Sequence, residues 1–184
     1  MATRKIAVLV GSLRKDSFTR KLAKNMMLLA PPTLELEIVE IGELPMYNQD
    51  LETDAPPPAW REFRERINAV DGVLFCTPEY NRSLPGALKN AIDVGSRPYG
   101  QAAWTGKPCA VASNSPGALG GFGANHAVRQ TLVFLNMPCM QMPEAYIGGI
   151  AGKFDGERLT DDGLRSVLQQ FMECFATWVE RHAD

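Results

Sequence analysis

The feature that most constrains the fold of this chain is a series of short, largely apolar segments separated by stretches of helix length. Ile6–Val10 is the first segment, and Val70–Thr77 and Cys109–Ala112 follow it. Apolar runs of this length are typical of strands that are buried on both faces, as in parallel sheets. Acidic residues interrupt the apolar ones in Leu34–Ile41, which predicts a more exposed strand, and a fifth strand is predicted within Met137–Ile147.

Helical patterns fill the intervals between these segments. From Phe18 to Leu29 the apolar residues recur at helical spacing. Four further helices are predicted, at Trp60–Asn68, Ser83–Val94, Asn125–Leu135 and after Thr160–Asp162. Ser83 is expected to cap its helix and Gly95 to end it. Regular alternation of strand and helix predicts a parallel, doubly wound α/β fold. Five strands with five helices match the flavodoxin-like version, a three-layer sandwich around a five-stranded parallel sheet.

Length and charge narrow the functional classes. A chain of 184 residues is expected to form one domain, spanning residues 1–184. A net charge of −2 argues against a nucleic-acid-binding protein. The first 30 residues nevertheless carry seven Lys or Arg against one acid, which predicts a small anionic ligand near the N-terminal region. No apolar run has the about 18–20 residues that span a membrane, so no membrane partner is expected. With the net charge of −2, no nucleic-acid partner is expected either.

The cysteines and histidines predict no metal site. The four cysteines are Cys76, Cys109, Cys139 and Cys174, and none of them forms a C-x-x-C pair. His126 and His182 lie far apart in the chain. Three of the cysteines lie in apolar, strand-like surroundings and are expected to be buried free thiols, which suits a reducing cytoplasm. No segment resembles a signal peptide, and a cytoplasmic location follows as the expectation.

The loop after the first strand has the composition of a phosphate site. Gly11 permits a tight turn, Ser12, Ser17 and Thr19 offer hydroxyl groups, and Arg14 offers a charged fork beside the amides of the next helix. The alternative is an ordinary strand-to-helix turn with a serine N-cap. The glycine pattern of a dinucleotide fold is absent, and so is the P-loop motif, so a monophosphate with a planar head group fits best.

Two further loops follow neighbouring strands and are expected to meet the first. Pro78 and Pro85 bracket a stiff segment whose amides can face a ring edge and whose Tyr80 can flank it. The third loop, residues 113–123, is rich enough in glycine for its backbone to approach a flat ligand closely. Either loop alone is compatible with ordinary turn chemistry. Because ligands of such sheets bind beyond the carboxyl ends of the strands, the three loops together predict one site.

One motif points to a different chemistry. Residues 76–83 match C-x5-R-[ST], the signature of tyrosine phosphatases, between a strand and a helix. A phosphate cradle needs free amides and no local negative charge, whereas Pro78 removes an amide and Glu79 adds a carboxylate. Cys76 is therefore interpreted as the buried end of its strand.

Three motifs carry a family resemblance over nearly the whole chain. They are G-S-L-R-x-x-S-F-T from Gly11, T-P-E-Y-N-x-S-x-P-G-x-L-K-N-A-I-D from Thr77, and S-x-G-x-x-G-G from Ser115, and L-P-x-Y-N-Q-D at Leu44–Asp50 accompanies them. With them the sequence resembles the NADPH-dependent FMN reductase family, which includes bacterial quinone, chromate and azo-dye reductases. The resemblance implies a flavodoxin-like domain that binds one FMN per subunit, takes NADPH or NADH as reductant and forms homodimers or homotetramers.

The resemblance also implies roles for individual residues. Ser12, Arg14, Ser17, Phe18 and Thr19 would hold the FMN phosphate, Pro78, Glu79, Tyr80 and Asn81 would line the isoalloxazine ring, and Ser115 and Gly117 would close its far side. Several relatives have an aromatic residue where this chain has Arg82, which bears on the substrate range. No catalytic side chain is nominated, because the flavin itself carries the redox chemistry.

The resulting hypothesis is an FMN-dependent NAD(P)H oxidoreductase. It would pass electrons through bound FMN to quinones, free flavin or other small acceptors such as chromate and azo compounds. The alternatives are a flavodoxin-like electron carrier and a non-enzymatic FMN-binding module. Carriers usually dock through a strongly acidic face, and the sequence contains no acidic run. The proline-rich loop Leu44–Ala59 is expected to form a subunit contact beside the site.

Overall fold

A five-stranded parallel sheet forms the centre of the computed structural model, which describes residues 3–183. Its strands are β1 (Arg4–Val10), β2 (Leu34–Ile38), β3 (Gly72–Pro78), β4 (Cys109–Asn114) and β5 (Ala145–Ile147). They lie in the order β2-β1-β3-β4-β5, and every neighbouring pair is parallel. This is the flavodoxin-like strand order, so the predicted fold is confirmed.

Five helices cover the two faces of this sheet. They are α1 (Phe18–Leu29), α2 (Pro58–Asn68), α3 (Gly86–Gly95), α4 (Phe122–Phe134) and α5 (Asp162–His182). A small antiparallel hairpin of β6 (Phe154–Asp155) and β7 (Arg158–Leu159) precedes α5 and lies outside the prediction. No helix within residues 3–183 combines the length and apolar character that a membrane span requires.

The apolar runs are explained by burial on both faces of the sheet. Along β1, Ile6 and Val8 face the layer formed by α1 and α5, whereas Ala7 and Leu9 face α2, α3 and α4. All four side chains are at most 1% exposed. Since successive side chains of a strand point to opposite faces, only a run without polar interruptions satisfies both layers. The continuous pattern at Ile6–Val10 is the consequence.

The long loop between β2 and α2 is held against α2 and α3, in the layer that also contains α4. Trp60 Nε1 donates to Pro45 O at 2.9 Å, and the amide of Tyr47 donates to Asn90 Oδ1 at 2.7 Å. Arg64 forms two hydrogen bonds to the Glu52 carboxylate, at 2.8 and 2.7 Å. These contacts fix the loop along α2 and α3, so the loop has a defined position beside the carboxyl edge of the sheet.

All five predicted helices are present, but α2 and α4 begin at Pro58 and Phe122, two and three residues before the predicted Trp60 and Asn125, and the start of α3 also differs. Helix α1 has the predicted bounds, and Asp161 caps α5 through a hydrogen bond from the Leu164 amide at 2.7 Å. The prediction of Ser83 as an N-cap is wrong, because α3 begins at Gly86 without a side-chain cap. Ser83 instead pairs with Tyr80 in a tight turn.

Candidate active site

The carboxyl ends of β1, β3 and β4 bring the three predicted loops side by side. The strand order reverses between β1 and β3, and such a switch point leaves a crevice at the end of the sheet. Here the Gly11 amide donates to Cys76 O at 2.8 Å. A Cβ atom on Gly11 would lie 3.3 Å from Pro78 Cδ and 3.3 Å from Leu88 Cδ2, so the first loop rests directly on the end of β3.

The first loop places its hydroxyl groups at the start of α1. Ser12, Ser17 and Thr19 are at most 3% exposed, although all three are polar. Ser17 is the N-cap, and its Oγ accepts a hydrogen bond from the Arg20 amide at 3.1 Å. The amide of Phe18 precedes the first intrahelical bond of α1, which runs from Lys21 N to Ser17 O. The N-terminus of α1 therefore offers amides and buried hydroxyls to an anion.

Two arginines of this loop region have different surroundings. Arg20 forms two hydrogen bonds to the Glu40 carboxylate, at 2.7 and 2.6 Å, and the bonded pair holds the pKa of Glu40 below its usual value. Arg14 lies exposed in the loop itself, ahead of the helix. Because Arg20 is already paired with Glu40, Arg14 is the better candidate of the two to bind an anion.

The second loop contains a strained turn. Tyr80 and Ser83 exchange two backbone hydrogen bonds of 3.0 Å, and the residues between them, Asn81 and Arg82, have φ values of 51° and 65°. Two consecutive positive φ angles define a type I′ turn, whose central positions favour Asn and Gly. The turn presents Tyr80 and Asn81 as exposed side chains at the tip of the loop. Strained backbone of this kind is concentrated at functional sites.

Glu79 ties the second loop to the third. Its Oε2 accepts a hydrogen bond at 3.1 Å from the amide of Ala124 in the first turn of α4, where the helix dipole favours a carboxylate. A Cβ atom on Gly123 would lie 2.9 Å from this oxygen and 2.7 Å from Arg82 O. The Glu79 side chain is therefore engaged by α4.

Glycines allow the third loop to pack closely. Gly120 and Gly121 have φ values of 61° and 77°, and a Cβ atom on Gly120 would lie 2.4 Å from the carbonyl carbon of Tyr146. Ser115 Oγ accepts a hydrogen bond from the Gly117 amide at 3.1 Å, which closes a short turn. Ser115 and Gly117 thus lie on the part of the loop that continues directly from β4.

Asn114 is a candidate site residue that the sequence analysis did not single out. It is the last residue of β4, pairs in register with Pro78 and is 3% exposed. Its Oδ1 is buried and has no hydrogen-bond partner among residues 3–183. Buried acceptors are nearly always bonded, so an orphaned oxygen at this edge fits a ligand that brings an N–H donor. An asparagine directly after an apolar run, at the end of a strand, was the available signal.

The chemistry of Cys76 excludes the phosphatase alternative. The thiol lies within β3 and is 0% exposed. Burial raises its pKa to about 12, so the thiolate that a phosphatase needs is not formed near neutral pH. The interpretation of Cys76 as a buried strand residue is confirmed. Within residues 3–183, no group of three or more His, Cys, Asp or Glu side chains is placed to hold a metal ion.

Comparisons with known proteins agree with this geometry. The sequence model of the NADPH-dependent FMN reductase family matches residues 4–152. A quinone reductase of Pseudomonas putida is 66% identical over 175 residues, covering 95% of this chain and 94% of the relative. A 2-hydroxy-1,4-benzoquinone reductase of a Burkholderia species is 45% identical over 95% of this chain and 96% of its own. The solved structure of FerB, a flavoenzyme NAD(P)H:(acceptor) oxidoreductase from Paracoccus denitrificans, aligns with a TM-score of 0.93 at 44% identity, over 99% of this chain and 100% of its own.

Proposed function

Because this chain belongs to the NADPH-dependent FMN reductase family, we propose that it is an FMN-dependent NAD(P)H oxidoreductase that reduces quinones. Residues 1–184 act as one FMN-binding domain. The observation that supports the proposal is the junction of three loops at the β1–β3 switch point, where the start of α1, which can bind an anion, adjoins a loop rich in glycine. The quinone reductases among its relatives support quinones as acceptors.

The residues at this junction fit FMN. Ser12, Arg14, Ser17, Phe18 and Thr19 would hold the phosphate through hydroxyls, the arginine fork and the amides of α1. Pro78, Glu79, Tyr80 and Asn81 would line the ring, with Glu79 contributing its backbone. Ser115 and Gly117 would close the far side, and the orphaned Asn114 oxygen would accept a hydrogen bond from the ring system.

When bound, FMN would supply the redox chemistry between NADPH or NADH and the acceptor. The contribution of the protein is binding, orientation and the shape of the opening. The loops would hold the ring edge with fixed backbone dipoles, and the exposed Tyr80 would flank the ring. The Glu79 carboxylate is already bonded to Ala124, so we assign no general acid or base.

We further propose that the enzyme is a homodimer or homotetramer. Tyr99, Phe134 and Val133 are 86%, 80% and 79% exposed, and Tyr99 lies after α3 while the other two lie at the end of α4. Tyr99 and Phe134 line one surface depression, and large apolar side chains grouped on one surface are typical of protein contacts. The four cysteines of the described chain are free thiols, which supports a reducing cytoplasm as the place of action.

The test is an anaerobic titration of the flavin absorbance with NADH and NADPH, followed by steady-state turnover with a panel of quinones, free flavin, chromate and azo dyes. The proposal expects bleaching by a pyridine nucleotide and turnover with quinones. Flavin that is reduced only by dithionite, with no turnover, would identify a carrier or a binding module instead. Light scattering of the same sample tests the oligomer.

A further inference from the structure

Two cysteines that lie far apart in the sequence meet in the sheet. Cys109 opens β4, and Cys139 lies in the segment that leads to β5. The two residues form a parallel bridge, flanked by hydrogen bonds from Cys109 N to Pro138 O at 3.0 Å and from Met140 N to Cys109 O at 2.8 Å. No C-x-x-C motif links these cysteines in the sequence, and their proximity is created by strand register.

The two side chains point to the same face. Cys109 belongs to the cluster beneath α2, α3 and α4 and Cys139 packs against that cluster, so the two thiols lie on the same side of the sheet. Adjacent strands lie about 4.7–4.9 Å apart, which is within the Cα separation that disulfides span, about 4.4–6.8 Å. A bond between the two sulfurs is therefore compatible with the backbone as it stands.

The surroundings of the two thiols shift their pKa values in opposite directions. The neighbouring Cys109 thiol lowers the pKa of Cys139, and burial opposes this shift. Arg129, whose Nη1 donates a hydrogen bond to Cys139 Sγ at 3.4 Å, lowers the pKa further. Burial raises the pKa of Cys109, which is 0% exposed. Cys139 is half-buried. This is the arrangement of a nucleophilic cysteine beside a resolving one.

We propose that Cys139 and Cys109 form an oxidisable dithiol that hydroperoxides convert reversibly to an intramolecular disulfide. The Cys139 thiolate attacks one peroxide oxygen, the O–O bond breaks, and the leaving oxygen takes a proton to become water or an alcohol. Cys139 is then a sulfenic acid. The Cys109 sulfur attacks the Cys139 sulfur, and its proton leaves with the hydroxyl group as water. Two thiols lose two electrons, and one peroxide gains them.

A chain of hydrogen bonds connects this pair to the third loop. Arg129 Nε donates to Asn125 Oδ1 at 2.8 Å, and Asn125 Nδ2 donates to Ser113 Oγ at 3.2 Å. Ser113 Oγ in turn donates to Gly120 O at 2.9 Å. Disulfide formation moves the Cys139 sulfur that accepts a hydrogen bond from Arg129, so we expect it to change the affinity for FMN. This second part rests on the proposed function, whereas the dithiol itself does not.

The experiment treats the purified full-length protein with hydrogen peroxide. Free thiols are then alkylated in denaturant, and the digested protein is mapped by mass spectrometry. The expected product is a Cys109–Cys139 crosslink within one chain, with Cys76 and Cys174 alkylated and with reversal by dithiothreitol. Sulfinic acid at Cys139 beside an alkylated Cys109, or a crosslink between two chains on a non-reducing gel, would overturn the dithiol.

Matched variants separate the pair from general thiol oxidation. Cys174 is also half-buried, and Cys174→Ser is expected to form the crosslink at the wild-type yield, whereas Cys139→Ser forms none. Oxidised wild-type protein is expected to bind FMN about 2- to 30-fold more weakly than the reduced form, the range of couplings through packed networks. Unchanged FMN affinity in fully crosslinked protein would overturn the connection to the third loop. Absence of FMN binding in both forms would instead contradict the proposed function.

Discussion

The amide of Ala124, in the first turn of α4, donates a hydrogen bond to Glu79 Oε2 at 3.1 Å. This single bond joins the loop after β3 to the helix that follows β4, and only 13% of the Glu79 side chain is exposed. Two loops of the candidate site are therefore positioned relative to each other by one carboxylate. The carboxylate also faces the positive end of the helix dipole, where a negative charge is favourable.

Glu79→Ala is expected to lower the free energy of unfolding by about 0.5–2 kcal/mol, the usual loss when a side-chain cap of a helix start is removed. FMN affinity should fall as well, because both loops lose a shared anchor. Glu79→Gln keeps an acceptor oxygen without the charge and should lose less. Urea unfolding of the apoprotein gives the first quantity and fluorescence titration the second. Glu65→Ala, an exposed change on α2, serves as the control, and an equal loss there would contradict this role of Glu79.

Arg14→Ala is expected to weaken FMN binding by about 1.5–3 kcal/mol, the range for hydrogen bonds to charged groups, which is about 10- to 150-fold in Kd. The fold should be unaffected, since Arg14 is exposed. Riboflavin, which lacks the phosphate, should bind the wild type and the variant equally. Lys15→Ala is a matched control on the same loop, and a loss there as large as in Arg14→Ala would point to general electrostatics.

Much of the fold follows from local patterns, and the reasons are visible in individual elements. Ile6–Val10 is buried on both sides by two helical layers, so its apolar run leaves little alternative to a central strand. The motif loops lie where they were expected, because strand ends in a parallel sheet share one edge. The Ser12–Thr19 loop was identifiable because hydroxyls, arginine and a helix start are consecutive in the chain.

Features that depend on turn geometry, strand register or burial could not be derived from local sequence patterns. Ser83 has the composition of an N-cap, but its backbone is already bonded to Tyr80 across a turn with two positive φ angles. Cys109 and Cys139 face each other only because the segment before β5 aligns with the start of β4. The role of Asn114 depends on its burial at the strand end, which composition does not indicate.

Asn114→Leu is expected to have opposite effects on the two states of the protein. In the apoprotein it removes a buried oxygen without a partner, so stability should be unchanged or higher. FMN affinity should fall by about 0.5–1.5 kcal/mol, the net worth of one hydrogen bond. Asn125→Leu is the control, because Asn125 is buried with its hydrogen bonds made and its loss should destabilise the apoprotein. Equal FMN affinity in Asn114→Leu would contradict the ligand contact.

Cys76 should be chemically silent in the folded protein. Since burial raises its pKa to about 12, a maleimide at pH 8 should leave it unmodified until the protein is unfolded. Cys76→Ala should retain NAD(P)H oxidation, and neither protein should hydrolyse an aryl phosphate. Aryl phosphate turnover that vanishes in Cys76→Ala would restore the phosphatase hypothesis.

Gly120→Ala should disrupt the third loop, whereas Gly117→Ala should be tolerated. A Cβ atom on Gly120 would lie 2.4 Å from the carbonyl carbon of Tyr146, and the residue has a φ of 61°. Tyr146 lies in β5, and the β5 backbone cannot move aside without breaking the hydrogen bond from Ser115 N to Ile147 O. The steric overlap of the new methyl group is therefore added to the backbone strain at this position. We expect a loss of about 1–3 kcal/mol in unfolding free energy, from the strained conformation alone.

Gly117 is the matched control for this change. It lies exposed on the same loop, and its nearest neighbour to an added Cβ is Ser115 Oγ at 3.5 Å, an ordinary contact. Gly117→Ala should therefore leave stability within about 0.5 kcal/mol, as for most surface substitutions. It should still weaken FMN binding, because a methyl group then stands where the backbone would approach the ring. Thermal unfolding of both apoproteins separates the two effects from FMN affinity, measured by fluorescence titration. Equal stability of the two variants would mean that the backbone around Gly120 shifts to accommodate the added methyl group. The loop after β4 would then be less rigid than its close packing implies.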